Sequence, residues 1–446
     1  MNIMNRTLLT QLKNWQTKSQ HLPLLLRGAR QVGKTYLVEH FGKICFEKTV
    51  TINFELSPEY IACFDTLKPK EIINKIEVIS KQRITPGTTL LFLDEIQICP
   101  NAISALRYFK EQLPELHVIG AGSLLEFALS QHGMSMPVGR VQYLYLKPLS
   151  FIEYLQATNN HHLMEFITQA RIGDDIPDVI QQTALKLVRE YMILGGMPMV
   201  VDNYIKTESI AECQQFQTLL LRTYSDDFAK YTTSARHKYL QQVYNKTPGL
   251  VGQQIKYVNL SPDMDSRYLK DAILDLKKAG VIFPIYSTSA SGLPLLTHLN
   301  EKRFKLLFLD VGLMKRAAKL DIDLLFTQDL MLLDRGAIAE QFVGQELLAY
   351  QDPLDEPQLY YWSREDKNST AEVDYVLNFD STIAAIEVKA GKTGTLRSLH
   401  LLMKEKKLPI GVRISTLKLQ MNDNILSVPF YLISQLERLL TTINSG

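Results

Sequence analysis

Short apolar runs alternate with segments of helical spacing over the first third of the chain, which is the pattern of an α/β fold. The apolar runs that predict strands are His21–Arg27, Lys48–Phe54, Thr88–Leu93, Leu116–Ala121 and Val141–Leu146. Helical spacing precedes the first run, at Leu8, Leu9, Leu12 and Trp15. This spacing predicts a helix packed beside the strands, with a helix on a membrane surface as the alternative.

The middle of the chain has a different pattern. After a mainly helical stretch, the predicted elements are a helix around Tyr239–Tyr244, a turn at Thr247–Gly249, a helix at Asp265–Ala279 that ends at Gly280, and strands at Val281–Tyr286 and Lys305–Leu309. Helices followed by two strands indicate a winged helix-turn-helix. Such a unit either reads DNA or serves as a packing and partner-binding module. The acids Asp265, Asp271 and Asp275 among its cations weaken a phosphate-binding face.

Composition limits the classes of protein. The 446 residues exceed one typical core, so two or three domains are expected. A net charge of +2 argues against a polybasic coat for nucleic acid but allows a local basic groove. The four cysteines lack C-x-x-C spacing, which argues against zinc or disulfides and favours a reducing cytoplasm. The N-terminal residues contain no apolar stretch long enough for a signal peptide or a membrane span, so no membrane partner is expected.

The segment Gly28–Thr35 reads Gly-Ala-Arg-Gln-Val-Gly-Lys-Thr and fits the phosphate-binding loop pattern G-x-x-x-x-G-K-[ST]. A predicted strand precedes it and a predicted helix follows it, so backbone N–H groups and the positive end of the helix dipole would face phosphates. Lys34 would reach the β- and γ-phosphates of ATP, and the Thr35 hydroxyl would bind Mg²⁺. The residues expected to contact the nucleotide are Gly28, Ala29, Arg30, Gln31, Val32, Gly33, Lys34, Thr35 and Tyr36.

Four further residues extend this loop to a candidate ATPase site. The strand Thr88–Leu93 ends in Asp94, expected to hold Mg²⁺ through its water shell, and Glu95, expected to polarise the attacking water. Ser123 follows the strand Leu116–Ala121 and either orients water or senses the γ-phosphate, or only caps the helix predicted at 124–131. Arg140 is either an arginine finger, in cis or in trans, or a solvated arginine beside a strand.

Several segments together resemble a large group of prokaryotic AAA-type ATPases that carry a C-terminal domain of unknown function. The N-terminal segments are Arg27–Thr35, Leu93–Gln97, Gly122–Ser123, Val138–Arg140 and Lys147–Tyr154. The later ones are Leu194–Pro198, Arg222–Asp227 and Asp310–Leu313, so the resemblance spans nearly the whole chain. It implies ATP binding and hydrolysis, and it implies a helical lid after the ATPase core.

A second group of charged residues lies near the C-terminus. Glu340 falls on a predicted helix at Arg335–Tyr350, and Asp374 falls on a predicted strand at Ala371–Leu377. The segment Glu387-Val388-Lys389 closes the next predicted strand, which begins with Thr382–Ile386. Carboxylates that converge beside a lysine can bind Mg²⁺ and activate water for phosphodiester cleavage. Asp374 and Glu387 are the candidate metal ligands of this site.

These positions resemble the PD-(D/E)XK nuclease superfamily, with Asp374, Glu387 and Lys389 as the core motif and Glu340 as the acid on the preceding helix. Val373 stands where the proline of the motif name would be. A nuclease-like domain either cleaves or only binds. The cations that follow, Lys392, Arg397, Lys404, Lys406 and Lys407, either contact phosphates or form a solvated helix face. Trp362, with Tyr360 and Tyr361, either stacks on a base or fills the core, and the core is favoured.

The predicted fold class is therefore α/β with several domains. They are a P-loop NTPase parallel-sheet domain at 1–155, a helical lid or linker at 156–235, a winged-helix-like domain at 236–325 and a smaller PD-(D/E)XK-nuclease-like α/β domain at 326–446. The predicted function is Mg²⁺-dependent ATP binding and hydrolysis that controls the C-terminal domain. The alternatives are an ATP-gated DNA or RNA nuclease and an ATP-dependent switch that binds DNA or a protein without cleavage. An arginine finger in trans would require a homo-oligomer.

Overall fold

The computed structural model describes residues 4–123, 125, 139–230, 234–320, 335–364, 370–379, 382–391 and 394–444. Two β-sheets organise these residues, one of five strands and one of eight. The helix predicted at 124–131 lies outside the described residues except for residue 125, and so does Lys392. Within the described ranges, no helix combines the length and the apolar character needed to cross a bilayer.

The N-terminal sheet is parallel throughout and has the order β2-β3-β4-β1-β5. Its strands are β1 (Leu24–Arg27), β2 (Lys48–Asn53), β3 (Thr89–Asp94), β4 (His117–Ala121) and β5 (Gln142–Tyr145). The central strands β3 and β4 are buried along their whole length because helices cover both faces, which explains their unbroken apolar sequence. The predicted strands are confirmed, and β4 lies between β3 and β1.

Among the described residues of this part of the chain, four α-helices flank the sheet. They are α1 (Leu8–Gln16), α2 (Lys34–Cys45), α3 (Pro69–Ser80) and α4 (Pro100–Gln112). The predicted N-terminal helix is α1, and it buries Leu8, Leu12 and Trp15 in the core that also contains α2. The apolar stripe of α1 is therefore used for packing within the protein.

Helices make up the next part of the chain, as predicted. They are α5 (Phe151–Ala157), α6 (His161–Gln169), α7 (Asp178–Leu194), α8 (Pro198–Thr207) and α9 (Ile210–Lys230). Ser150 begins α5 with a capping box, since its hydroxyl accepts from the Glu153 N–H and the Glu153 carboxylate accepts from the Ser150 N–H.

A helical group and a strand pair follow. They are α10 (Ser234–Leu250), α11 (Tyr257–Leu260), α12 (Ser266–Lys278), β6 (Ile282–Thr288) and β7 (Leu299–Phe308). The turn predicted at Thr247–Gly249 is wrong, because these residues continue α10. Thr247 donates from its hydroxyl to the Val243 carbonyl, and packing of α10 against α12 and β7 outweighs the helix-breaking tendency of Pro248.

The eight-stranded sheet joins this strand pair to the C-terminal part of the chain. After the short helix α13 (Val311–Ala317), the elements are α14 (Arg335–Ala349), β8 (Tyr360–Ser363), β9 (Glu372–Phe379), β10 (Thr382–Val388), α15 (Arg397–Lys406), β11 (Gly411–Ser415), β12 (Gln420–Asn422), β13 (Ile425–Pro429) and α16 (Leu436–Asn444). The strand order is β12-β13-β11-β10-β9-β8-β6-β7.

Strand β6 is hydrogen-bonded on both sides, antiparallel to β7 and parallel to β8. The predicted winged-helix domain and the predicted nuclease-like domain therefore share one sheet. An isolated wing would have no such neighbour, and the winged-helix assignment stays a prediction.

Candidate functional site

The phosphate-binding loop connects the carboxyl end of β1 to the amino end of α2. Gly33 has φ of 94° at the N-cap of α2, a left-handed conformation that glycine adopts without strain. Gly28 packs so closely on the neighbouring strand that an added Cβ would lie 2.3 Å from the Leu146 carbonyl oxygen. The two fixed glycines of the motif are thus required by backbone conformation and by close approach.

The Lys34 side chain folds over the loop. Its Nζ donates to the carbonyl oxygens of Gly28 and Ala29, at 3.0 and 2.9 Å. Burial lowers the pKa of Lys34 to about 8, although the nearby carboxylates of Glu95 and Asp94 oppose that shift. A phosphate in the loop would supply the negative charge that favours the protonated ammonium.

Thr35 and Asp94 are in direct contact. The Thr35 Oγ1 donates to Asp94 Oδ2 over 2.9 Å, and Asn53 at the end of β2 donates to the same oxygen over 3.1 Å. Burial raises the pKa of Asp94. The hydroxyl and the carboxylate are hard oxygen ligands, so these residues fit a Mg²⁺ ion.

Glu95 follows Asp94 in a left-handed conformation with φ of 49°. Gln97 donates from Nε2 to Glu95 Oε2 at 2.5 Å, which fixes the direction of the carboxylate. Ser123 is buried at the end of β4, between the acid-bearing strand and the phosphate loop. The helix that Ser123 would cap lies outside the described residues, so both interpretations of this serine stay open.

Helix α9 holds the phosphate loop from outside the sheet. Arg30 donates from Nη1 to both carboxylate oxygens of Asp227, at 3.1 and 3.2 Å, and the Tyr224 hydroxyl donates to the Arg30 carbonyl at 2.5 Å. Near the N-terminus, Arg6 donates to the Val32 carbonyl at 2.9 Å. Two distant segments therefore determine the conformation of the loop.

The loop also touches the element that leads into the eight-stranded sheet. A Cβ added to Gly280, between α12 and β6, would lie 3.2 Å from the backbone nitrogen of Ala29. The end of α12 is therefore in van der Waals contact with the phosphate loop.

Arg140 lies at the opposite edge of the parallel sheet from the loop. In the β1–β5 register, Gln142 pairs with Leu24, so Arg140 precedes the amino end of β5 while the loop follows the carboxyl end of β1. The four residues of β1 separate the two edges by about 13 Å. Arg140 is half exposed and pairs with Glu111 at 3.3 Å. This placement does not support a role of Arg140 in cis, and a role in trans stays a prediction.

Two later segments of the predicted resemblance meet in space. Asp310 accepts from the Gly196 N–H at 2.6 Å and from the Leu313 N–H at 2.9 Å, so it both holds the turn after α7 and caps α13. A Cβ on Gly195 would lie 2.0 Å from Asp310 Oδ1. Asp310 is fully buried, and burial raises its pKa to about 6. The segments Leu194–Pro198 and Asp310–Leu313 therefore pack on each other through Asp310, which connects the end of α7 to the start of α13.

In the C-terminal part, the structure brings Glu340, Asp374 and Glu387 into one charged cluster. Asp374 Oδ2 accepts from the Val388 N–H at 2.8 Å, which places it beside Glu387 on the neighbouring strand. Lys389 donates to Glu387 Oε1 at 2.5 Å, whereas Glu387 Oε2 is buried with no partner among the described residues. Burial raises the pKa of Glu387 to about 7, and it raises the pKa of Glu340 well above its usual range.

A residue outside the sequence prediction, Lys305 of β7, enters this cluster. Its Nζ lies 2.5 Å from Glu372 Oε1, 3.4 Å from Asp374 Oδ1 and 3.5 Å from Glu340 Oε2. Among the residues that the structure describes, no three His, Cys, Asp or Glu side chains are arranged to hold a metal ion. In this arrangement the cluster does not fit a divalent cation, because an ammonium already lies among its carboxylates.

Comparisons with known families agree with the N-terminal geometry. Residues 20–155 match a family described as an AAA domain. Residues 185–323 and 335–432 match two domains of unknown function, DUF8612 and DUF4143. Among curated proteins, none matches this chain.

Solved structures show a general likeness. The Walker-type ATPase of Pyrococcus abyssi is 15% identical over 71% of this chain and 96% of its own, with a TM-score of 0.45. The Aeropyrum pernix Orc1 protein in complex with DNA is 12% identical over 70% of this chain and 91% of its own, with a TM-score of 0.30. The Thermotoga maritima RuvB Holliday junction branch migration motor is 17% identical over 61% of this chain and 86% of its own, with a TM-score of 0.26.

Sequence reasoning missed several residues that hydrogen-bond to side chains of the candidate nucleotide site. Asn53 orients Asp94, and its position as a polar residue at the carboxyl end of β2 is the signal that could have found it. Gln97 orients Glu95 from the short 3-10 helix that follows β3. Asp227 was visible only as part of a family segment. In the C-terminal cluster, the missed signal was Lys305 itself, a single lysine inside the apolar run Phe304–Leu309. Tyr361 and Trp362 are buried, which agrees with the core interpretation.

Proposed function

We propose that the chain binds ATP with Mg²⁺, hydrolyses it and transmits the nucleotide state to the C-terminal sheet. The observation that carries this proposal is the contact between Thr35 and Asp94 beside a lysine folded over the phosphate loop. Thr35 and Asp94 would hold Mg²⁺, the ion would neutralise phosphate charge, and Lys34 would bind the β- and γ-phosphates. Glu95, oriented by Gln97, would polarise the attacking water.

The contacts of the loop with other segments support the transmission step. Arg30 is shared between the loop and Asp227 of α9, and it also lies 4.0 Å from Glu55. An incoming triphosphate would compete with these carboxylates for the guanidinium. Nucleotide binding would then loosen α9 from the loop, while Gly280 keeps α12 in contact with Ala29.

ATP turnover by the purified full chain tests the proposal. Lys34→Ala should lower turnover by at least about 100-fold, because one preorganised charge contact to the transition state is removed. Glu95→Gln should retain ATP binding and lose turnover. Lys43→Ala is the matched control, since Lys43 is exposed at the other end of the same helix. Equal turnover in Lys34→Ala and Lys43→Ala would show that this site is not the ATPase site.

Phosphodiester cleavage by the C-terminal domain is the second candidate. It is favoured by the position of Asp374, Glu387 and Lys389 at the ends of two paired strands. A panel of DNA and RNA substrates with Mg²⁺ or Mn²⁺, with and without ATP, distinguishes cleavage from binding alone. Cleavage that is lost in Asp374→Ala and Lys389→Ala would support the nuclease. Binding that weakens steeply with salt, with no cleavage, would support a nucleotide-controlled binding module.

A further inference from the structure

Lys305 is buried in the apolar C-terminal half of β7. Its neighbours from Phe304 to Phe308 are all buried, and Lys305 itself is 1% exposed. The Lys305 ammonium lies 5.5 Å from the centre of the Tyr361 ring. A charged ammonium in such a place must be paired, because the desolvation of an isolated ion costs far more than a folded domain can supply.

Three carboxylates pair with this one ammonium. Glu372 and Asp374 are two residues apart on β9, so their side chains lie on the same face of the sheet. Glu340 reaches the same ammonium from α14. These contacts come from three elements that are far apart in sequence. The ammonium position is therefore set by the fold as a whole.

We propose that Lys305 is the built-in cation of this cluster and that it excludes a divalent metal ion from the position that a PD-(D/E)XK nuclease would use. The Asp374 oxygen that faces the cluster is bonded to the ammonium at 3.4 Å. A Mg²⁺ ion needs oxygen ligands at about 2.0–2.1 Å, so an ion on the same oxygens would overlap Lys305 and would be repelled by its charge. With the ammonium in this place the cluster has no room for a catalytic metal ion, so metal-dependent cleavage in the nucleic-acid panel would count against this inference.

The carboxylates of the described residues are not arranged as a metal site while they pair with Lys305, but without the ammonium they would be free to close around an ion. Glu387 Oε2 is already without a partner among the described residues, and removal of Lys305 would free Asp374 Oδ1 beside it. Glu340 and Glu372 would also lose their cation. Replacement of Lys305 by an uncharged side chain of similar length should therefore convert an ion-pair cluster into a site that binds a divalent metal ion.

Mn²⁺ binding to the full chain without nucleotide tests this inference, with free Mn²⁺ counted by electron paramagnetic resonance. The chains to compare are the wild type, Asp374→Asn, Lys305→Met, the double variant Lys305→Met with Asp374→Asn, and Lys302→Met. Lys302 is the matched control, since it is exposed on the same strand. Any Mn²⁺ at the phosphate loop is common to all five chains. Failure of the ATPase proposal would appear as unchanged ATP turnover in the Lys34 and Glu95 variants. That result would not affect Mn²⁺ binding at the C-terminal cluster, so the two proposals fail independently.

The expected result is a gain of one Mn²⁺ per chain in Lys305→Met, with loss of that ion in the double variant. The wild type, Asp374→Asn and Lys302→Met should bind equal amounts. Mn²⁺ that the wild type binds and Asp374→Asn does not would overturn the inference, and so would a folded Lys305→Met variant without the additional ion. If circular dichroism shows that Lys305→Met does not fold, the comparison of the wild type with Asp374→Asn tests the inference. Equal Mn²⁺ binding supports it, and loss of Mn²⁺ in Asp374→Asn overturns it.

Discussion

The ion pair between Arg30 and Asp227 leads to a quantitative prediction about ATP affinity. Asp227→Asn removes the negative charge and keeps the size of the side chain. Arg30 is 25% exposed and Asp227 5% exposed, so the pair is only partly screened by solvent. If ATP binding has to separate the pair, the wild type loses the favourable free energy of the ion pair when it binds ATP. The variant has no ion pair to lose.

The size of the effect follows from the two hydrogen bonds of this pair. Hydrogen bonds to charged groups contribute about 1.5–3 kcal/mol net, and every 1.4 kcal/mol corresponds to about tenfold in affinity. Removal of the negative charge also reduces repulsion of the triphosphate. We therefore expect Asp227→Asn to bind ATP about 10- to 100-fold more tightly than the wild type.

Isothermal titration calorimetry of ATP with the full chain measures this difference. Asp226→Asn is the matched control, because Asp226 is the exposed neighbour on the same helix. Its affinity should equal that of the wild type. An Asp227→Asn protein that melts normally but binds ATP equally or more weakly would refute the idea that Arg30 is released on nucleotide binding. It would instead indicate that the pair holds the loop in its binding conformation.

Two further predictions concern stability. Gly195→Ala should destabilise the chain by at least about 2 kcal/mol more than Gly173→Ala in thermal unfolding, because only at Gly195 does the new Cβ collide with Asp310, while Gly173 has similarly positive φ and open space. Equal losses of stability would mean that Asp310 and its neighbours shift to accommodate the new methyl group at little cost. Burial raises the pKa of Glu346 to about 8, above its unfolded value, so its favourable protonated state is lost as pH rises. Glu346→Gln should therefore gain stability over the wild type between pH 5 and pH 8, on the order of 3–5 kcal/mol in total, and a melting difference that is flat across this range would contradict the burial of a charge there.

The arrangement of the candidate nucleotide site could largely be predicted, because its signals are local. The apolar runs of β1 and β3 are buried on both faces, and the fixed residues of the loop carry their own conformational requirements. The topology then followed, since Asp94 and the loop must meet at one edge of the parallel sheet. The position of Arg140 relative to the loop was not predictable in this way, because it depends on whether β5 runs parallel or antiparallel to β1, and only the pairing of the two strands decides that.

The C-terminal cluster was only half predictable. The hairpin of β9 and β10 is local and was visible in the alternation of its residues. Lys305 reaches the cluster from β7, which is separated from β9 by β6 and β8 in the sheet. No pattern within the sequence encodes a pairing between Tyr286–Thr288 and Tyr360–Trp362, and this pairing is what brings Lys305 to Asp374. The wrong turn at Pro248 has the same origin, because tertiary packing of α10 outweighed a local preference.

The contact between Gly280 and Ala29 has a mechanical consequence. Gly280 is the residue from which β6 emerges, and β6 has a hydrogen-bonded neighbour on each side. A Cβ at position 280 would crowd the Ala29 nitrogen, so a displacement of the loop toward Gly280 would act on backbone and not on a flexible side chain. Under the proposed function, such a displacement would reach β6 and, through the hydrogen bonds of β6, both β7 and β8. Under the proposed ATPase cycle, Gly280 is the point at which the phosphate loop and the eight-stranded sheet would act on each other.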